Sequence, residues 1–289
     1  MDAEHLHRWT RTVPPGRTHE FVAAEWADAL VVVEHGELEI ECGSGRHARF
    51  PSGSVLVTGA NRGLGRALVE AALAAGADRV YAAARRPLVH ADPRVTPLLL
   101  DVTDATQVGA AVESVDALDV LINNAGISVV DDLSDPEALR RHLEVNLFGP
   151  HRVSQAFVPL LERSGGRIVN VLSLASLAPV PVTPAYSISK AAAFSLSQSQ
   201  RALLAARGIS VQVALPGPID TDMIDGWDIP KTSAHDVARA ILAGISAGDD
   251  EIFPDPMSAS LAPGWTESVV KGLERQNVQA VQAMLAGSA

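Results

Sequence analysis

The sequence contains one cysteine in 289 residues, Cys42, so no disulfide can close within the chain and no site built on several thiolates can form. A reducing compartment fits that usage, and a cytoplasmic location is the expectation. Basic residues are the scarcer charge, 23 against 34 acidic, and the resulting net charge of −11 offers no global field to a phosphate backbone. Nucleic acid is not expected as a partner. Long apolar runs are missing too: Gly, Pro or a charge interrupts each stretch well short of the roughly 20 residues a bilayer-spanning helix needs. The opening MDAEHLHRWTRTVPPGRTHE mixes charge, His and Pro where an export signal would place a basic end and then an apolar run. A soluble chain that is neither exported nor membrane-bound is expected.

What is present is ample material for a core, 47% apolar against 20% charged residues, which rules out disordered, collagen-like and coiled-coil readings. From residue 54 onward short β-rich runs alternate with Ala/Leu-rich helical stretches, the pattern of βα units that feed a parallel sheet. The runs at residues 54–58, 79–84, 95–101, 118–123, 167–173, 210–215 and 251–253 predict seven strands. They are almost continuously apolar, so helices should cover both faces of an α/β fold. Helices are predicted over residues 64–75, 138–148, 153–163 and 191–207, after the start signal Ser233/Asp236, and over 269–285.

Residues 1–53 differ in character. Leu38, Ile40 and Cys42 alternate with Glu37, Glu39 and Glu41, the period-2 signature of a strand with one buried and one acidic face. A β-hairpin extension is expected, with residues 30–36 as its first arm and 46–50 as a third strand. The segment resembles the small β-roll of cupin proteins but lacks their clustered histidines: His19, His35 and His47 are scattered, and no metal is assigned. Three short strands bury too little surface to stand alone, so residues 1–53 form an extension and residues 54–289 the main domain.

Thr58-Gly59-Ala60-Asn61-Arg62-Gly63-Leu64-Gly65 follows an apolar strand and opens a helix. Glycines let backbone approach a pyrophosphate, and a helix N-terminus supplies unpaired N–H groups and the positive end of a dipole. The G-x-x-x-G-x-G spacing differs from the commoner G-x-G-x-x-G, and a ligand-free strand-to-helix turn is the competing reading. Of two tyrosines, Tyr81 and Tyr186, only Tyr186 has a lysine four residues on, which puts Tyr186 and Lys190 on one helix face. A free phenol titrates at about 10, and a neighbouring ammonium favours its phenolate, so the pair is suited to exchanging a proton. An ordinary helix surface is the competing reading here.

Together, the glycine loop, Asn123-Asn124-Ala125-Gly126 after the fourth strand and Tyr186-x-x-x-Lys190 resemble the short-chain dehydrogenase/reductase family over residues 54–255. The resemblance implies a single Rossmann-type, doubly wound domain that binds a nicotinamide dinucleotide at the carboxyl ends of its strands. It also implies hydride transfer between that cofactor and a carbonyl or secondary alcohol. Carried over by position, Gly59, Asn61, Arg62, Gly63, Leu64 and Gly65 form the cofactor loop and Asp101 and Val102 border the adenine. Asn123, Ala125 and Gly126 belong to the fourth strand's cofactor-facing end, and Pro216, Gly217, Ile219 and Thr221 hold the nicotinamide. Ser173 stands where the family has its catalytic serine, with its hydroxyl on the developing oxyanion. Lys190 would also hold the nicotinamide ribose, and Asn146, in LEVNLFG, would position a water relaying protons to it. Leu172 departs from the second serine that family members often carry there.

An acidic residue at the end of the second strand would bind a free ribose 2′-hydroxyl and exclude a phosphate. Here that strand ends in AAARR. Arg85 and Arg86 can pair with a 2′-phosphate and Arg62 can close on it from the other side, so NADP(H) is the expected cofactor. Asp78 precedes the strand and sits at its wrong end. Ile127, Val180, Val182, Met223 and Trp227 suggest an apolar pocket for a hydrophobic carbonyl or alcohol. The family resemblance further implies a homodimer or homotetramer. Two other functions stay open: an NADP(H)-binding regulatory or scaffold module, and a sugar-nucleotide epimerase or dehydratase. The intact Asn146, Ser173, Tyr186 and Lys190 argue against the first, and the short stretch after residue 253 against the second.

Overall fold

The computed structural model describes residues 39–42, 46–49, 53–87 and 89–286. Seven parallel strands form one sheet: β1 (Ser54–Thr58), β2 (Arg79–Ala84), β3 (Val95–Leu99), β4 (Val120–Asn123), β5 (Arg167–Val171), β6 (Ser210–Ala214) and β7 (Glu251–Ile252). Their order is β3-β2-β1-β4-β5-β6-β7. The chain runs outward from β1 on one side, crosses back, and runs outward from β4 on the other. This is the doubly wound Rossmann arrangement, whose crevice opens at the carboxyl ends where the order reverses. The connections contain α1 (Gly63–Ala74), α2 (Ala105–Glu113), α3 (Pro136–Leu143), α4 (Gly149–Ser164), α5 (Pro184–Leu204) and α6 (Ala234–Ala247), and α7 (Val269–Ala286) follows β7.

Strand alternation explains why both faces need helices. Val55 and Val57 of β1 join Val80, Ile122 and Val169 in a core with Leu68 of α1 and Ile241 of α6. Leu56, between them, points the other way and joins Leu121, Ile168 and Phe157 of α4. Successive strand residues point to opposite faces, so a run apolar at every position is buried twice. Leu56, Leu121 and Ile168 are fully buried, and burial of each contributes roughly 1.5–3 kcal/mol. Tyr81 lies in this second core at 2% exposure, which leaves Tyr186 as the one phenol near the crevice.

The seven strands and their places agree with the sequence pattern, and three helical stretches do not. Residues 105–113 form α2, which was not expected. Its start is fixed by the Asp104 side chain, which accepts from the N–H groups of Thr106 and Gln107, a cap that a weak apolar pattern does not advertise. Residues 144–148 are a π-helical turn between α3 and α4 rather than the end of an α-helix, and Gly149-Pro150 opens α4 instead of breaking it. The helix expected from residue 191 begins at Pro184, so it includes Tyr186 and Lys190. Glu39–Cys42 pairs antiparallel with Arg46–Arg49; the arm expected at residues 30–36 lies outside the described residues.

Beyond β7 the chain is tied back by charge. Arg201 of α5 binds Glu251 at 2.8 Å and also Glu274 of α7, while Lys271 of α7 binds Glu251 at 2.8 Å and Glu274 at 3.0 Å. Lys271 and Glu274 are buried, so removing one member would strand another charge, a loss of about 3–5 kcal/mol. Among the described residues no helix is long and apolar enough to cross a membrane.

Candidate active site

The crevice is built around the ends of β1 and β4. Thr58 closes β1, and its hydroxyl accepts from the N–H groups of Asn124 and Ala125, both at 3.0 Å. Its carbonyl accepts from Asn124 Nδ2 at 2.9 Å. The glycine loop is packed against this junction. Gly59 has φ +68° and Gly63 φ +51°, the left-handed region that glycine adopts without steric cost. Gly65 is required for a different reason: a Cβ there would lie 2.1 Å from the Gly59 carbonyl oxygen and 2.6 Å from Asn124 Nδ2. Helix α1 therefore starts with its backbone against the loop, with no side-chain cap and no acidic residue in its first turn. Such an N-terminus has free N–H groups and a positive dipole end for an anion.

Ser173, Tyr186, Lys190 and Asn146 converge across this crevice from three elements. Ser173 follows β5, and its hydroxyl accepts from the Ala175 N–H at 3.1 Å, capping a short 3₁₀ turn. Tyr186 and Lys190 lie one turn apart on α5, with the lysine ammonium 5.7 Å from the tyrosine ring centroid. Lys190 is 5% exposed and donates to the Val171 carbonyl at 2.9 Å, fixing α5 to the end of β5. Burial lowers its ammonium to about 8. Burial also pushes the Tyr186 phenol above its usual value, and a hydrogen bond with Ser173 acts in the opposite direction. The depressed phenol expected from an adjacent cation is thus not what the chain alone produces, because the ammonium is directed at Val171 and desolvation dominates.

Asn146 sits in the π-helical turn, a geometry that recurs at functional sites. Its Oδ1 accepts from the Ile127 N–H and its Nδ2 donates to the Ile127 carbonyl, both at 2.9 Å. Nδ2 also donates to Ser189 Oγ at 2.9 Å, and that hydroxyl donates to the Tyr186 carbonyl at 2.6 Å. A Cβ on Gly126 would sit 3.2 Å from Asn146 Oδ1 and 3.7 Å from Lys190 Nζ, so all three border one small space.

The remaining expected positions divide by what their side chains do. Arg85 and Arg86 are exposed just past β2, whereas Arg62 is paired with Asp222 at 3.1 Å. Asn61 is exposed and Leu64 is buried behind the loop. Burial works against the Asp101 carboxylate, yet hydrogen bonds from Thr103 and the charges of Arg85 and Arg152 hold it below the usual range. The Val102 carbonyl accepts from Arg152 at 2.6 Å. Asn123 turns inward: its Nδ2 donates to Ser154 Oγ and Asn170 Oδ1, tying β4 to α4 and β5. Asn124, not singled out from the sequence, is the residue that meets the glycine loop. Pro216 accepts from the Leu174 N–H at 3.0 Å, and Ile219 pairs with Thr232 in a short parallel ladder. Thr221 lies against Gly63, its Cγ2 3.3 Å from where a Cβ would be. Val180, Val182 and Met223 are exposed, and Ile127 and Trp227 partly buried, so they lie on rims rather than in a closed pocket.

Asp255 was also missed. Its buried carboxylate accepts from the Gly217 N–H at 2.7 Å and from the Met257 and Ser258 N–H groups, locking the loop after β6 onto the following short helix. The D-x-x-S spacing is a readable capping box, but its link to Gly217 spans 38 residues.

Residues 54–230 match the family described as short chain dehydrogenase. The dehydrogenase/reductase SDR family protein 7-like of Anopheles gambiae is 32% identical over 252 residues, covering 75% of this chain and 80% of its own length. Among solved structures, a short chain dehydrogenase from Burkholderia cenocepacia J2315 in complex with NADP is 38% identical with a TM-score of 0.71. It covers 77% of this chain and 96% of its own. A short-chain dehydrogenase from Streptomyces avermitilis is 28% identical with a TM-score of 0.67, covering 83% and 99%.

Proposed function

This chain belongs to the short-chain dehydrogenase/reductase family of oxidoreductases, and we propose on that footing that it transfers hydride between NADP(H) and a carbonyl or secondary alcohol, with Tyr186 as general acid and base. The observation that carries the reading is the meeting of Ser173, Tyr186 and Lys190 beside the glycine loop, with Ser173 near enough to act on the Tyr186 phenol and the Lys190 ammonium 5.7 Å from its ring centroid.

The residues present fit a dinucleotide. Positions 59, 63 and 65 form a cradle that side chains would fill, and the uncapped start of α1 suits a pyrophosphate. Arg85 and Arg86 at the end of β2 suit a 2′-phosphate, and the NADP complex of the Burkholderia cenocepacia relative points the same way. When bound, the nicotinamide supplies or accepts the hydride. In reduction, the Tyr186 hydroxyl gives its proton to the substrate oxygen as that oxygen gains charge, and the Ser173 hydroxyl donates a hydrogen bond to the same atom. The phenolate left behind is stabilised by the Lys190 cation. A phenol raised by burial is protonated at neutral pH, the state this direction requires. In oxidation the same groups act in reverse.

The rims formed by Val180, Val182 and Met223 favour an apolar substrate. Exposed Phe148 at the start of α4, with Ile188 and Leu203 on α5, supports a homodimer or homotetramer through these helices. A cytoplasmic location rests on the single cysteine, and residues 1–53 are read as an extension to the catalytic domain 54–289. The direct test is a panel of aldehydes, ketones and alcohols followed at 340 nm with each nicotinamide cofactor. Turnover with NADPH or NADP+ is the expected result, and no turnover with any pair contradicts the reading.

A further inference from the structure

The first turn of α5 is capped by a residue from a different element. Thr183, at the N-cap position, makes no side-chain hydrogen bond to the helix. Pro184 has no N–H to satisfy, and the next donor, the Ala185 N–H, is taken by Asp131 Oδ2 at 3.2 Å. Asp131 belongs to the loop after β4. Its other oxygen, Oδ1, accepts from the Leu133 N–H at 3.1 Å. Its own N–H donates to the Val182 carbonyl at 3.3 Å. One side chain and one amide thus join three things: the loop from Ile127 to Leu133, the rim at Val182 and the start of the helix that carries Tyr186.

The knot is held under strain. Leu133 has φ +63°, a left-handed conformation that costs a non-glycine residue roughly 1–2 kcal/mol and persists where surrounding contacts impose it. Here the contact is Asp131 Oδ1. A carboxylate also complements the positive end of the α5 dipole, and it does so one residue before the phenol.

We propose that Asp131 is a positioning residue: by capping α5 from the loop after β4 it sets where the Tyr186 hydroxyl stands relative to Ser173 and Lys190, and it passes contact with substrate at the Val182 rim to that hydroxyl. The proposal rests on the reading of Tyr186 as the proton donor. An ångström of misplacement at a reacting group costs up to about 100-fold in rate, whereas Asp131 touches neither the cofactor loop nor Ser173 in any hydrogen bond described above.

The test compares Asp131→Ala and Asp131→Asn with the parent on a carbonyl substrate from the panel. Four quantities are measured: kcat and KM, the pH profile of kcat, the melting temperature, and amide exchange over residues 185–190. For Asp131→Ala, kcat is expected to fall about 10–100-fold with KM for NADPH within about twofold, and exchange over 185–190 to rise. Asn offers one acceptor oxygen in place of two, so Asp131→Asn should recover part of the loss, and it supplies the reading if the alanine variant does not fold. A pH profile of kcat displaced from the parent's is expected in both, which a role in stability alone would not produce. An unchanged kcat and profile in folded Asp131→Ala overturns the proposal; if that variant does not fold, the same result in Asp131→Asn with unchanged exchange over 185–190 overturns it. If Tyr186→Phe turns over as fast as the parent, the reading of Tyr186 has failed instead, and the exchange data still decide whether Asp131 holds the helix.

Discussion

Lys190 is 5% exposed, and burial lowers its ammonium from 10.5 to about 8. Below pH 8 the folded chain therefore carries a charge that the unfolded chain carries more comfortably, a difference of about 3 kcal/mol. Lys190→Met keeps the length of the side chain and removes the charge. It also removes the hydrogen bond to Val171, worth roughly 1.5–3 kcal/mol for a charged donor, so at pH 7 the variant should match the parent or exceed it by about 1 kcal/mol. The sign of the pH dependence is the sharper quantity. Between pH 8 and 10.5 the unfolded state binds more protons than the folded one at this residue, so the parent gains stability as pH rises through that window. The variant lacks this gain. Urea melts at pH 7 and pH 10.5, followed by tryptophan fluorescence, should show the parent improving by about 3 kcal/mol relative to Lys190→Met. An equal difference at both pH values would refute the reasoning, since it would mean that the amine is not desolvated. Turnover should be lost in the same variant, a trade of activity against stability typical of buried functional charges.

Two further substitutions probe the cofactor side. Gly65→Ala places a Cβ 2.1 Å from a backbone carbonyl, and overpacking of this kind costs about 1–3 kcal/mol; the melting temperature should fall and NADPH affinity by calorimetry should drop at least about tenfold, since 1.4 kcal/mol is a factor of ten. Retained affinity would contradict the cradle. Arg85→Asp should weaken NADPH about 10- to 100-fold, the equivalent of one charge-assisted hydrogen bond, while leaving NADH affinity equal or better; parallel losses for both cofactors would remove Arg85 from 2′-phosphate binding.

Much of this architecture was legible because its strands are buried on both faces. Val55-Leu56-Val57 reads as a continuous apolar run, in which Val55 and Val57 serve one core and Leu56 the other. Arg62 illustrates a partial success. The sequence puts it in the glycine loop, but only the fold shows it paired with Asp222, 160 residues away. Asn123 and Asn124 are adjacent and chemically identical, yet strand alternation turns one into the interior and the other onto Thr58. Local sequence carries no signal that separates them unless the last strand residue is known. Asp131, Asp255 and the Arg201–Lys271 cluster escaped for a related reason. The partners that make them matter, Ala185 for Asp131, Gly217 for Asp255 and Glu251 for Arg201, are distant in sequence, and an isolated acidic or basic residue in a loop or on a helix reads as solvated surface. The π-helical turn at Asn146 has no periodicity of its own and merges with the helices on either side.

Single-turnover reduction of a panel substrate by Tyr186→Phe, with NADPH affinity measured in parallel, bears most directly on the chemistry. Removing the proton donor should slow the step about 100- to 10,000-fold and leave NADPH binding within about twofold of the parent. A phenylalanine variant that reduces the substrate at a rate within tenfold of the parent would contradict the assignment of Tyr186.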